Sequence, residues 1–132
     1  MVFWLGRQAF ECEWRAHAAY GLFKSARNSN TPEVRGLRLL RSWLSPAQLE
    51  QFDSLGYFDV VGGTSGKKYR IKFGLCANIL ELAKDDTPKV GWCFVPDSCL
   101  VAGDVMLAQK IALETCECAA LAKANRFGVP TR

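Results

Sequence analysis

Histidine is almost missing from this sequence, since His17 is the only one in 132 residues. A zinc ion needs three or four protein ligands at compatible spacing, and the chain has no CxxC pair to supply them. Catalysis by a Ser-His or Cys-His pair would depend on His17, and no GxSxG motif marks a nucleophile. These absences predict no metal site and no cofactor, and they favour a binding function over an enzyme.

Long apolar runs are absent as well, because no stretch reaches the roughly 18 residues that a membrane-spanning helix requires. Residues 1–5 are apolar, but no basic segment precedes them and no small-residue cleavage site follows, so they do not resemble a secretory signal. We therefore predict a cytoplasmic protein without contact to a membrane. Its six cysteines are then expected to stay reduced, most of them buried as small apolar residues.

The composition is that of a folded domain: 49% of the residues are apolar and 23% are charged. The length suits a single core, and we divide the chain into an N-terminal extension, residues 1–33, and one α+β domain, residues 34–132. The net charge of +4 belongs to residues 1–45, where seven Lys or Arg face three Glu, because residues 46–132 hold ten charges of each sign. Such a basic excess is compatible with nucleic acid or an acidic protein as partner.

The N-terminal extension is rich in aromatic residues. Apolar side chains recur at every fourth position within residues 3–26, which predicts a helix. The aromatic residues that would bind a partner, or pack on the domain, are Phe3, Trp4, Phe10 and Trp14. They support the hypothesis that the chain is a protein-interaction or assembly component. Its partner would then be a second copy of the chain, in a homo-oligomer, or another protein in a larger assembly.

Two further helices are predicted before the first strand. Thr31 is a suitable N-cap, and Pro32 suits the first helical position, so a helix begins there. It must end at Ser45, because the residue before a proline is disfavoured in the helical conformation. Ser45 and Gln48 have the spacing of a capping box, which begins another helix that Gly56 closes.

After Gly56 the apolar pattern changes from helical to alternating. Four strands are predicted, at residues 57–61, 68–73, 78–82 and 90–94. Their connections are short, which favours a four-stranded antiparallel meander. A long C-terminal helix, capped by Asp104 and running to about Arg126, is expected to pack on one face of this sheet. The predicted fold class is α+β.

Basic residues form two ridges. The first lies on the second predicted strand and the loop before it, and consists of Lys67, Lys68, Arg70 and Lys72. The second has helical spacing and consists of Arg35, Arg38 and Arg41. If the fold brings them together, they predict a binding surface for nucleic acid or another polyanion. The alternative is that they are the solvated faces of a strand and a helix.

The glycine-rich loop at residues 62–68 is not expected to bind a nucleotide. A Walker motif has four residues between its glycines, then Lys and Ser or Thr, followed by a helix. Here three residues separate Gly62 from Gly66, and a strand follows. The glycines are instead expected to allow a hairpin turn.

An enzyme is the third hypothesis, with catalytic groups that meet only in the folded chain. Polar residues interrupt the predicted C-terminal helix, and Asp104, Lys110 and Glu114 are the titratable ones. Lys110 and Glu114 lie four positions apart on one helical face, which also predicts an ordinary ion pair within the helix.

Several segments between about Leu37 and Phe127 resemble a family of small proteins and domains from bacteria, notably alphaproteobacteria, and from phages or mobile elements. The similar segments are LSPAQLEQF, GYFDVVGGTSGKKYRI, GWCFVP, GDVMLAQKIALE and ALAKANRF. The resemblance implies that the sheet and the long helix form the domain proper, with residues 1 to about 33 outside it. It carries no activity to this chain.

Overall fold

A computed structural model of the chain describes residues 30–95 and 101–129. The predicted helix at residues 3–26, with the predicted partner-binding residues Phe3, Trp4, Phe10 and Trp14, lies outside these ranges.

The described residues form an α+β fold with four helices and one five-stranded antiparallel sheet. In chain order the elements are α1 (Pro32–Trp43), α2 (Pro46–Leu55), β1 (Tyr57–Val61), β2 (Lys68–Lys72), β3 (Ile79–Leu82), β4 (Pro88–Cys93), α3 (Ala102–Thr115), α4 (Glu117–Lys123) and β5 (Asn125–Phe127). The strands lie in the sheet in this same order, so each pairs with its predecessor in the chain. Within the described ranges no helix is both long enough and apolar enough to cross a membrane.

The capping residues predicted from the sequence begin the first two helices. The hydroxyl of Thr31 accepts a hydrogen bond from the amide of Val34 at 3.4 Å, and α1 begins at Pro32. The capping box of α2 is present, with the amide of Gln48 3.2 Å from the Ser45 hydroxyl and the amide of Ser45 3.0 Å from Gln48 Oε1. Gly56 ends α2 with a φ of 75°, a left-handed conformation that glycine adopts at little cost.

Helix α2 also covers the outer edge of β1. Gln48 Nε2 donates to the carbonyl oxygen of Asp59 at 2.8 Å, and the amide of Asp59 donates to Gln51 Oε1 at 2.9 Å. An edge strand exposes unpaired backbone groups that another chain could pair with. At Asp59 two glutamine side chains satisfy those groups within the same domain.

The sheet has one buried face, as the alternating pattern predicted. On β1, β2 and the start of β3 the side chains of this face are at most 1% exposed, and they are Phe58, Val60, Tyr69, Ile71 and Ile79. Helices α1 and α3 cover this face with Leu37, Leu40, Met106 and Leu113, among others. On β2 the basic residues Lys68, Arg70 and Lys72 alternate with the buried ones and therefore belong to the opposite face.

A pair of buried amides joins α3 to the sheet. Asn78 and Gln109 exchange two hydrogen bonds of 2.9 Å, and both side chains are fully buried. Each side-chain amide also donates to a backbone carbonyl oxygen: Asn78 donates to that of Lys72, and Gln109 donates to that of Phe94. Because buried polar groups are costly when unpaired, this closed network fixes how α3 lies on the sheet.

The prediction of one C-terminal helix capped by Asp104 and running to about Arg126 is wrong. Helix α3 begins at Ala102, so Asp104 lies in its first turn, and the N-cap residue Val101 makes no side-chain capping bond. The helix ends at Thr115, Cys116 departs from helical geometry with a φ of −139°, and α4 is a separate short helix. Its axis is therefore free to take a direction different from that of α3.

The number of strands is five rather than four, because residues predicted as the end of the helix form β5. Phe127 pairs with Gly91, and Asn125 pairs with Cys93. A side chain at Gly91 would overlap with the ring of Phe127, so the missing side chain leaves the space that this ring occupies. The strand is thus held by contacts with β4 that local sequence does not signal.

The prediction that the cysteines are mostly buried is wrong for the described ones. Cys76, Cys116 and Cys118 are exposed, and Cys93 is half-buried; all four are free thiols. Cys76 and Cys116 lie outside regular strands and helices, and Cys93 is the last residue of β4. Cys12 and Cys99 lie outside the described residues.

Candidate polyanion-binding surface

The glycine-rich loop at residues 62–67 binds an anion that the chain itself provides. The amides of Thr64 and Ser65 donate to Glu117 Oε1 at 3.0 and 2.8 Å. The hydroxyls of Ser65 and Tyr69 donate to the other carboxylate oxygen, the latter at 2.6 Å. Glu117, the first residue of α4, is only 2% exposed. The amides that a phosphate would need are therefore already used.

Two glycines allow this loop to approach α3 and α4 closely. A side chain at Gly62 would overlap with the Glu117 carboxylate, and one at Gly63 would overlap with the backbone carbonyl of Glu114. The amide of Gly63 also donates to the carbonyl oxygen of Leu113 at 3.0 Å. The glycines thus serve contact with the helices, in addition to the turn that the sequence predicted.

The charge of Glu117 is strongly stabilised. Burial by itself would raise the pKa of Glu117, but the hydrogen bonds from Ser65, Tyr69 and Thr64 outweigh burial and lower it to about 2. Burial and the hydrogen bond to Glu117 both raise the pKa of Tyr69 above its ordinary value. At neutral pH the pair is therefore a carboxylate and a neutral phenol, which is the arrangement that the hydrogen bond requires.

Three lysines meet at the same end of the sheet as this loop. A hollow of about 360 Å³ lies between the loop and the turn at residues 83–87 that joins β3 to β4. We call it the lysine hollow, and its walls are Ser65, Gly66, Lys67, Lys68, Leu82, Ala83, Lys84 and Asp86. At Gly66 the wall is open, since an added side chain would meet no atom within 4 Å.

Two lysines of the hollow lie near carboxylates, Lys68 near the exposed Asp86 and Lys67 near the buried Glu81. Lys68 Nζ lies 2.8 Å from the carboxylate of Asp86, with side chains 42% and 57% exposed. This hydrogen bond and the attraction of Asp86 raise the pKa of Lys68. Lys67 Nζ lies 3.9 Å from Glu81; the lysine side chain is 52% exposed, whereas that of Glu81 is only 5% exposed. The exposed pair of Lys68 and Asp86 contributes little free energy, so another anion can compete for the Lys68 ammonium group.

Arg70, by contrast, is engaged in a tight internal contact. Its guanidinium donates two hydrogen bonds to Asp59, at 2.9 and 3.2 Å, and lies 4.1 Å from the centre of the Tyr57 ring. Gln51 Nε2 donates to the same carboxylate at 3.0 Å. Arg70 and Asp59 are each about one-fifth exposed. Lys72, two residues further along β2, is half-buried and does not line the hollow.

The second predicted ridge lies on α1, and none of its three arginines lines the hollow. Helix α1 packs on α3 and contributes to the core beneath the buried face of the sheet, whereas Lys68 belongs to the opposite face. Arg35 and Arg38 are exposed, and Arg35 donates to the carbonyl oxygen of Asn30 at 3.1 Å. Arg41 forms a double hydrogen bond with Asp53 of α2. The structure does not join the two ridges into one continuous surface.

Lys84 is the member of the hollow that sequence analysis missed. The sequence places it only in the short connection between the third and fourth predicted strands. A usable signal was present, however: in an antiparallel meander the first and third connections lie at the same end of the sheet. The predicted strand order therefore already placed residues 83–87 beside residues 62–67.

The residues of the enzyme hypothesis do not form a common site among the described residues. The predicted ion pair is confirmed, with Lys110 Nζ 2.7 and 2.8 Å from the two carboxylate oxygens of Glu114. Asp104, at the other end of α3, lies beside Gly36 of α1. None of the three lines the lysine hollow.

Comparisons of the chain with protein-family models, with curated proteins and with solved structures found no match. The resemblance based on the sequence segments above therefore stays a prediction.

Proposed function

We propose that this chain is a small non-enzymatic binding module that recognises nucleic acid or another polyanion through the lysine hollow. The observation that carries the proposal is the convergence of Lys67, Lys68 and Lys84 from two connections of the sheet. Clustered, exposed ammonium groups attract phosphates and release the counterions that surround them.

Rigid surroundings support this proposal. The loop that carries Lys67 is anchored by Glu117. The backbone amide of Lys67 donates to the Ser65 hydroxyl at 3.1 Å. Lys68 follows as the first residue of β2. A scaffold that is already ordered loses less conformational entropy when a ligand binds.

The test is binding of a fluorescein-labelled duplex and of single-stranded DNA, measured by anisotropy over a series of salt concentrations. On duplex DNA each neutralised phosphate contributes about −0.9 to the slope of log K against log salt. Replacing Lys67 and Lys84 together by alanine is expected to weaken binding about tenfold at low salt and to reduce the slope by about 2.

Two variants make the test specific. Replacing Arg35 and Arg38 by alanine removes the same charge from exposed positions of α1 that do not line the hollow, and it should leave most of the affinity intact. Asp86→Asn removes the acid paired with Lys68, and asparagine tolerates the φ of 63° at this position. It should strengthen binding several-fold. Equal losses in the two double variants, or no binding at low salt, would reject the proposal.

The protein-interaction alternative is favoured by one observation on α1. Leu39 and Trp43 lie one turn apart on its outer face and are 48% and 59% exposed. Large apolar side chains that share an exposed face often mark a contact with another protein. In the sequence they come after the aromatic N-terminal extension, residues 1–33.

For this alternative we expect the protein to self-associate at micromolar concentration. The double variant Leu39→Ser and Trp43→Ser should raise the dissociation constant of self-association about tenfold. Light scattering coupled to gel filtration measures the change. Replacing the exposed Leu75 and Val95 by serine gives a control of similar apolar loss elsewhere on the surface. A monomeric wild-type protein would exclude self-association through this face.

A further inference from the structure

A second concave surface lies at the opposite end of β4 from the lysine hollow. It is an open groove of about 600 Å³ between the end of β4 and the two helices α3 and α4. One wall is the segment Cys93 to Val95; the other wall holds alanines, among them Ala108, Ala112 and Ala119. We propose that this groove binds a small amphipathic anion, such as a medium-chain carboxylate, with its apolar chain along the alanines and its anionic group at Lys123.

The groove spans the interruption of the C-terminal helix. Glu117 is held by the glycine-rich loop, so the chain leaves helical geometry at Cys116 and α4 continues separately. Ala112 of α3 and Ala119 of α4 lie on opposite sides of this interruption and still line the same groove. With one continuous helix, residues seven positions apart would share a single straight face without enclosing a concave space.

Its size and walls are those of a ligand site. Sites for small molecules typically measure about 300 to 1,000 Å³ and are mainly apolar, with a few polar groups that orient the ligand. In this groove alanines stand where larger side chains could have filled the space.

The polar groups define the ligand's chemistry. Lys123 is the one charged side chain among the described residues that line the groove, and Asn125 lies beside it as a neutral donor. No described carboxylate lines the groove to compensate the ammonium group. A single negative charge on an apolar body matches this distribution better than a neutral oil or a polyanion.

Two thiols provide a direct measurement. Cys93 and Cys116 line the groove, whereas the exposed Cys76 and Cys118 do not. Alkylation of each thiol by iodoacetamide is followed by mass spectrometry, on the full chain, with and without decanoate below its micelle concentration. Bound decanoate is expected to slow alkylation of Cys93 and Cys116 about fivefold or more, because the rate requires access to the thiol. Cys76 and Cys118 serve as internal references and should keep their rates.

Variants test both halves of the proposal. Ala112→Phe places a ring in the groove and should abolish the effect of decanoate. If this variant fails to fold, Ala119→Leu fills the groove from an exposed position and should abolish the effect as well. Ala122→Phe adds the same ring on an exposed position of α4 that does not line the groove, and it should keep the effect. Lys123→Gln should weaken decanoate about fivefold and leave decanol unchanged, as expected for one charge-assisted contact.

Three results would overturn the proposal. The first is equal slowing of all four thiols, which indicates general association of the detergent-like probe with the protein. The second is no slowing at any concentration below micelle formation. The third is protection that Ala112→Phe and Ala119→Leu both leave intact, since the probe would then bind elsewhere.

Discussion

Replacing Gly103 by alanine is expected to lower the free energy of unfolding by about 2 to 3 kcal/mol, as overpacking of a close contact does. Gly103 lies in the first turn of α3, where α1 crosses it. An added side-chain carbon would overlap with the backbone carbonyl group of Gly36 and lie 2.5 Å from the amide nitrogen of Leu37. Backbone atoms cannot rotate away, so the two helices would have to separate and the core beneath them would loosen.

The sign of this effect makes the prediction informative. In an isolated helix, alanine is more favourable than glycine by about 1 kcal/mol, so propensity alone predicts stabilisation. Gly36→Ala provides a graded comparison, because its added carbon would lie 2.7 Å from a side-chain methyl of Val101, which can move. We expect a smaller loss there. Urea unfolding at neutral pH measures both variants, and a Gly103→Ala protein as stable as the wild type would contradict the close helix crossing.

Glu117→Gln is expected to cost about 2 to 3 kcal/mol of stability at neutral pH, because hydrogen bonds to a buried charged group are replaced by partly mismatched ones. All four groups around the carboxylate are donors: the amides of Thr64 and Ser65 and the hydroxyls of Ser65 and Tyr69. A glutamine amide offers one acceptor oxygen, and its NH₂ group faces donors on the other side. The loop and α4 would lose their common anchor.

The same residue predicts a pH dependence. The pKa of Glu117 is lowered from an ordinary value of 4.5 to about 2 in the folded chain. A group with a depressed folded-state pKa stabilises the protein above its unfolded pKa and loses that contribution as the pH falls towards the folded pKa. Wild-type stability should therefore decline between about pH 4.5 and pH 2 through this group, and the decline should be smaller in Glu117→Gln.

A matched control is available on α2. Glu50 is exposed, and Glu50→Gln makes the same chemical change away from the loop. Unfolding curves of the three proteins at pH 7 and pH 3 give the comparison. If Glu117→Gln and Glu50→Gln had equal stabilities at pH 7, Glu117 could not be the anchor that the geometry describes.

Glu117 also connects the two surfaces that we propose as binding sites. Its carboxylate orders the loop that carries Lys67, and its position at the start of α4 sets the interruption that opens the apolar groove. The two proposals nevertheless fail independently. Lysine variants test the first without touching the groove, and Ala112→Phe tests the second without touching the loop.

Much of the fold could be predicted because its signals are local. Thr31 with Pro32, the capping box of Ser45, and Gly56 each act on backbone groups within four residues, and all three operate as expected. The alternation along β2 likewise needs only the geometry of one strand, and Tyr69 and Ile71 are indeed fully buried. The neighbouring positions of Lys67 and Lys68, where the loop meets β2, could be predicted from the same segment.

The end of the chain could not be predicted in this way. Residues 117–127 are rich in Ala and also contain Leu121 and Lys123, which favour one continuous helix when only local propensity counts. The structure interrupts that helix because Glu117 binds amides 52 and 53 residues earlier in the chain, and because the Phe127 ring fits over Gly91. Contacts over such separations leave no periodic signal.

The sequence by itself thus determined the fold class, the first two helices, the hairpins and the two faces of the sheet, since each depends on interactions between near neighbours. Only the tertiary structure decided the fifth strand, the interruption at Cys116, the meeting of Lys84 with Lys67 and Lys68, and the separation of the arginines from the lysines. These depend on which distant segments the folded core brings together, and a side chain's final partners are fixed only when that core has formed.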